Sequence, residues 1–184
     1  MRRRLITTSD KADYNVTGLS FTGSNYVDTG IKLFDSAKDF TVLISYTSTF
    51  TGYLGTIIHA LYESGSYPGF CIDIPYNAGQ YGRFAAYTSL NIIHNSNLLN
   101  TKKCSAIRRS GNTFTLFTND KYPSGVDVTS NILATTFNTN VLLGAYQTTS
   151  GTKGRYYTGT INHCAIYLKS LTDTEIKSLM SKEA

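Results

Sequence analysis

Between Phe40 and Tyr46 the residues Phe40, Val42, Ile44 and Tyr46 occupy every second position. A period of two puts them on one face of an extended strand, whereas a helix would need apolar residues three and four apart. Short runs of strand-forming residues recur along nearly the whole chain, at Leu19 to Phe21, Tyr26 to Ile31, Leu54 to Ala60, Phe70 to Ile74, Arg83 to Tyr87, Lys102 to Arg109, Phe114 to Thr118, Val141 to Ala145 and Tyr157 to Leu168. Turn residues separate them, and the Ser-Gly-Asn inside "RRSGNTFTLF" is a hairpin signal. Fourteen Tyr, nine Phe and fifteen Gly with only three Pro reinforce a strand-and-turn chain. The fold class is therefore all-β. At 184 residues the chain accommodates one well-buried domain.

One helix is expected, at the end. In "LTDTEIKSL" the Thr172 hydroxyl accepts from the Glu175 backbone N–H while the Glu175 side chain reaches back, a capping box, and Ile176 and Leu179 fold onto the body. The connections "YESGSYPG", "PYNAGQYG", "LNIIHNSNLLN" and "YQTTSGTKGRYY" read as long loops. No segment repeats at solenoid or propeller spacing.

The net charge of +5 is concentrated partly in Arg2, Arg3 and Arg4, so residues 1–15 read as a flexible basic arm and 16–184 as the domain. Basic residues do not interleave with aromatics and no recognition helix is visible, so nucleic acid is not an expected partner. No apolar run is long enough for a signal peptide core or a membrane span, and no membrane partner is expected. Cys71, Cys104 and Cys164 sit in strand-like runs without CxxC spacing and read as buried reduced thiols, which fits synthesis in a reducing cytosol.

Three segments, "LSFTGSNYVDTGI", "DFTVLISYTSTF" and "YYTGTINHCAIYLKSLTDTEIKSL", resemble the concanavalin A-like, laminin-G-like jelly-roll superfamily. The matching positions are Phe21, Gly23, Tyr26, Val27, Phe40, Thr41, Gly159, Ile161, Ile166, Tyr167, Leu171, Glu175 and Ile176, and "TFTLFTNDK" is similar to a family hairpin with Asn119-Asp120 at its turn. The resemblance implies a β-sandwich of two antiparallel sheets with one short C-terminal helix covering a sheet edge or end. After Ile161 the family often has an acidic pair where this chain has Asn162 and His163, and Tyr46 stands in for an early-strand Trp; the resemblance carries the fold and no metal site. The opening "YVDTGI" after a basic tip also resembles small bacteriophage tail, fibre or head-surface proteins.

Catalysis is not expected. The paired strand carboxylates of jelly-roll glucanases are absent; "CIDIPYN" carries Asp73 alone, and Glu63, Glu175 and Glu183 lie elsewhere. His59, His94 and His163 are far apart, with His59 and His163 read as satisfied core imidazoles. No cofactor and no metal is expected; the resemblance leaves calcium as the alternative, with Asp28 the best-placed candidate. Loop chemistry carries the functional signal: Tyr76, Asn77, Tyr81, Tyr146, Gln147, Arg155 and Tyr156 combine aromatic faces that stack on sugar rings with donors that satisfy hydroxyls.

Two readings follow. The first is a non-enzymatic virion surface or assembly protein, homo-oligomeric, anchored among other virion proteins by Arg2, Arg3 and Arg4 and touching host or mucosal glycans; the short reading frame without a signal peptide favours it. The alternative is a stand-alone bacterial carbohydrate-binding module acting on a cell-surface glycan. Their glycan site is the same, the "PYNAGQYG" and "YQTTSGTKGRYY" loops.

Overall fold

Period-two patterning leaves each strand with one apolar face, and two sheets facing each other bury both sets. A computed structural model describes residues 12–34, 39–49, 52, 55–61, 69–76, 81–86, 90–95, 100–111, 113–118, 128–129 and 139–183. The strands are β1 (Tyr14–Thr22), β2 (Val27–Lys32), β3 (Phe40–Ser48), β4 (Gly55–Leu61), β5 (Gly69–Tyr76), β6 (Tyr81–Ala86), β7 (Leu90–Asn95), β8 (Lys102–Ser110), β9 (Thr113–Thr118), β10 (Val128–Thr129), β11 (Asn140–Leu143), β12 (Tyr146–Gln147), β13 (Lys153–Gly154) and β14 (Thr158–Tyr167), followed by helix α1 (Asp173–Ser181). Sheet A runs β1-β14-β3-β8-β9-β10 and sheet B runs β2-β11-β4-β5-β6-β7, while β12 and β13 form a separate two-stranded hairpin. Neighbouring strands pair antiparallel throughout. The all-β sandwich with one short C-terminal helix is thus the observed fold.

The core between the sheets takes Phe40, Val42, Ile44 and Tyr46 from β3 together with Phe70, Ile72 and Ile74 from β5. At one end Phe34, Phe40, Phe70 and Phe114 form an aromatic cluster with ring centroids 5.4–6.3 Å apart. Asn162, at one of the positions where the superfamily carries acids, is a bulge residue. Ile161 faces Tyr46 and His163 faces Ser45. The extra residue lets Ile161 and Cys164, three apart, both enter the core. Gly159 is required on steric grounds, since a Cβ there would lie 2.4 Å from the Thr47 carbonyl oxygen.

The capping box forms as expected. The helix packs Ile176 and, half-buried, Leu179 onto the body as expected, and buries Met180 as well. Its position is corrected. It lies across the outer face of sheet A, on Leu43, Cys104, Ala106, Phe117, Ala165 and Tyr167, and not over an edge. Arg108 fastens its start, donating to the Leu171 carbonyl (3.2 Å) and pairing with Asp173 (2.5 Å).

"LNIIHNSNLLN", read as a loop, contains edge strand β7, and the "YQTTSGTKGRYY" loop is the β12–β13 hairpin. The 15/16 boundary falls inside β1, whose pairing begins with Tyr14 opposite Ile166. Arg2, Arg3, Arg4 and the Asn119-Asp120 turn lie outside the described residues. All three cysteines are free and buried; burial pushes the Cys104 and Cys164 thiols up to about 12.

Candidate functional site

Outward positions of a sandwich sheet ordinarily meet water. On β4 and β5 they are buried and polar: Thr56, His59 and Asp73 are 0 % exposed and Cys71 is 1 % exposed. Register sets His59 opposite Cys71 and Thr56 opposite Asp73, with the alternate pair Ile58 and Ile72 in the core. A bulge between Thr56 and Ile58 brings Thr56 and His59, three apart in sequence, to the same face.

The cluster is covered by the hairpin that follows β11. Gly144, with φ of +81°, turns the chain, donating its N–H to the Ile57 carbonyl (2.9 Å) and accepting from Tyr157 N–H (3.0 Å). The Thr56 N–H donates to the Arg155 carbonyl (2.8 Å). These bonds take up the backbone groups that the β4 bulge frees and moor both ends of the hairpin there. Tyr146 then lies edge-on over His59, centroids 4.6 Å apart, and the Arg155 guanidinium sits 4.3 Å above the Tyr146 ring.

Asp73 accepts from the Thr56 hydroxyl (2.6 Å) and from the Cys71 thiol (3.5 Å), and its second oxygen lies 4.0 Å from Arg155 Nη1. Burying a carboxylate without such partners would be costly. Arg155 adopts φ of +48°, a left-handed backbone that costs a residue with a Cβ about 1–3 kcal/mol and persists only where its surroundings impose it. His59 differs: neither ring nitrogen has a hydrogen-bond partner among the described residues. Burial, with Arg155 and then Lys153 adding positive charge nearby, pushes its pKa down to about 3. The imidazole is neutral at physiological pH.

Of the sequence-predicted site residues, the structure brings Tyr146 and Arg155 together. Tyr146 is 5 % exposed and so is no open stacking platform, because it packs between His59 and Arg155. The Gln147 amide oxygen accepts from Lys153 Nζ, whose ammonium also lies 5.5 Å from the exposed Tyr26 ring. Tyr156 is half-buried beside Arg155. Tyr76 and Tyr81 are register partners at the β5–β6 turn, with Asn77 outside the described residues.

Sequence reasoning passed over Thr56, read Asp73 as a lone carboxylate, and read His59 as a satisfied core imidazole, which the structure corrects: it is buried and its ring nitrogens are not hydrogen-bonded among the described residues. Their signal was a carboxylate and an imidazole inside strands otherwise built for burial. His163 is half met: Nε2 lies 2.9 Å from Asn15 Oδ1, while Nδ1 lies 2.7 Å from Glu183 Oε1 without the geometry of a hydrogen bond. Asp28, the calcium candidate, accepts from Gly30 N–H and Asn140 Nδ2, both at 2.9 Å, and no group of three metal-ligating side chains converges among the described residues.

No protein-family model and no curated protein sequence matches the chain. Solved structures do share its fold. The CBM40 module of the Ruminococcus gnavus IT-sialidase bound to α2,3-sialyllactose superposes with a TM-score of 0.71 at 15% identity, covering 91% of this chain and 98% of the module. The same module bound to α2,6-sialyllactose gives 0.70 at 17% identity with the same coverage. A leech intramolecular trans-sialidase complexed with 2,7-anhydro-Neu5Ac gives 0.65 at 15% identity, over 90% of this chain and 27% of that enzyme. At these identities the likeness is one of fold: the chain has the jelly-roll β-sandwich found in sialidase carbohydrate-binding modules.

Proposed function

We propose that this protein is a non-catalytic binding module for acidic glycans of the sialyllactose kind, with Arg155 receiving the sugar carboxylate at the outer face of sheet B. The observation that carries the reading is the state of Arg155. Its backbone is held in a strained conformation, its guanidinium is braced on the Tyr146 ring, and it stands 4.0 Å from Asp73, too far for a hydrogen bond. A fixed, half-exposed guanidinium with uncommitted donors suits bidentate capture of a carboxylate. The R. gnavus module's ligands, α2,3- and α2,6-sialyllactose, supply the first compounds to test. The remaining proposed sugar contacts are Tyr156 beside Arg155, together with Tyr76, Asn77 and Tyr81.

The shared fold supports the carbohydrate-binding-module alternative over the virion-surface reading, which rests on sequence features. Calorimetry with 3′-sialyllactose, 6′-sialyllactose and lactose tests the assignment. Sialylated ligands should bind in roughly the millimolar to micromolar range and lactose should not. Arg155→Ala should weaken binding about tenfold or more, since hydrogen bonds to a charged group contribute about 1.5–3 kcal/mol. Equal affinity for lactose and sialyllactose, or silence on a glycan array even with the protein displayed multivalently, would sink the reading.

A further inference from the structure

The Arg155 reading explains the rim of this site and leaves its floor unexplained. His59 is 0 % exposed and both its ring nitrogens lack a hydrogen-bond partner among the described residues. Burying a polar group that way is destabilising, and native proteins seldom retain it without use. Among the described residues, an aromatic ring lies in edge contact with the imidazole and, beyond it, a cation. Neither offers the acceptor and donor that a neutral imidazole needs. The cover is moored at its two ends and is short between them. Tyr146 belongs to a two-residue strand paired with another two-residue strand, outside both main sheets. A ribbon of that size has little stability of its own.

We propose that Tyr146 is a displaceable cover over a small polar pocket with His59 at its floor, and that the glycan held by Arg155 enters it with a hydroxyl-bearing substituent that hydrogen-bonds the imidazole. This rests on the Arg155 reading and adds to it a specificity contact and a conformational step. A hydroxyl is the matching group because it donates and accepts at one atom, and a neutral imidazole has one nitrogen for each role. The pKa near 3 keeps the imidazole in that neutral form throughout the physiological range. Thr56 and Asp73 beside it make the pocket wall polar enough to accept a hydrated group. The ligand thereby selects a conformation scarcely populated without it.

The test uses the full chain with its histidines labelled with nitrogen-15. Long-range proton–nitrogen correlation spectra are taken free and saturated with 3′-sialyllactose, and calorimetry is run on His59→Leu, His59→Gln and Arg155→Ala. Saturation should move the His59 ring nitrogens, identified by their absence in His59→Leu. His59→Leu should lose roughly tenfold in affinity, His59→Gln should recover part of it, and both should keep the wild-type unfolding profile at pH 7.5 or improve on it. Tyr146→Ala, lacking the cover, should associate faster by stopped flow. If sialyllactose binds and Arg155→Ala abolishes binding while His59→Leu binds as wild type, or the His59 nitrogens stay unmoved, the pocket is refuted and the rim site stands. If no sialylated glycan binds the wild type, both fall.

Discussion

His59 makes a prediction about stability that needs no ligand. In the unfolded chain its imidazole titrates near 6.5, and in the fold burial and the nearby Arg155 and Lys153 hold it at about 3. Below pH 6.5 the unfolded state takes up a proton that the native state refuses, so stability falls with falling pH from about 6.5 and levels off near 3. At 1.36 kcal/mol per pH unit the full loss approaches about 5 kcal/mol, and between pH 7.5 and pH 5 it is about 2 kcal/mol. For a chain of this length that is a fall of roughly 4–8 °C in Tm. The perturbation is His59→Leu, which removes the titrating group and the two unsatisfied nitrogens while keeping an apolar side chain of similar bulk. Urea unfolding at pH 7.5 and pH 5 on both proteins is the assay, because carboxylates and the other histidines titrate in both and cancel in the difference. The variant should match or exceed the wild type at pH 7.5 and exceed it by about 2 kcal/mol more at pH 5. Parallel pH dependence in the two proteins would refute the argument, since it would mean that His59 is hydrated or paired in solution.

Gly144→Ala should be among the most damaging single-methyl changes: φ is +81°, and the new Cβ would stand 2.2 Å from two atoms of the buried Phe21 ring. Backbone strain of about 1–2 kcal/mol and overpacking of about 1–3 kcal/mol together predict a Tm lower by roughly 5–15 °C in thermal unfolding, and an unchanged Tm would mean the turn relaxes freely. Arg108→Leu removes the donor to Leu171 and the partner of Asp173, so α1 should loosen from sheet A. Cys104, buried beneath the helix, should then react faster with a thiol reagent in native buffer, and a wild-type rate would show that Ile176 and Met180 hold the helix alone.

Much of the framework was legible because it is local. β3 alternates cleanly over Phe40, Val42, Ile44 and Tyr46, the Ser-Gly-Asn turn joins β8 to β9 with Ser110 opposite Thr113, and Thr172 with Glu175 closes a capping box three residues wide. β7 was missed because Asn91 and Asn95 dilute Ile92 and Ile93 in an edge strand paired only with β6. The site was illegible for a different reason. Thr56 and Asp73 meet through the β4–β5 register after a one-residue bulge, and Tyr146 and Arg155 arrive from a hairpin far along the chain. A bulge shifts which residues share a face, and no spacing rule anticipates where one falls. Asp73 and His59 therefore read singly, as a lone carboxylate and a core imidazole, although a charge flanked by Ile72 and Ile74 was itself a sign of a built polar site.

The placement of α1 sharpens where function can reside. A two-sheet sandwich has one shared interior and two outer faces, and here the two faces are covered by different elements. On sheet A the helix closes over the apolar outward residues Leu43, Ala106, Phe117 and Ala165, with the polar Thr41, Ser45 and His163 on the same face of the sheet. On sheet B the outward residues of the central strands are Thr56, His59, Cys71 and Asp73, and the cover is a two-stranded hairpin with a strained arginine at its mouth. Had stability alone shaped that second face, apolar residues beneath the hairpin would have served better, since removing both polar partners of a buried pair is often neutral or favourable. A buried carboxylate, an imidazole without partners and a guanidinium held short of a hydrogen bond are instead a set of interactions that a polar, anionic ligand would complete.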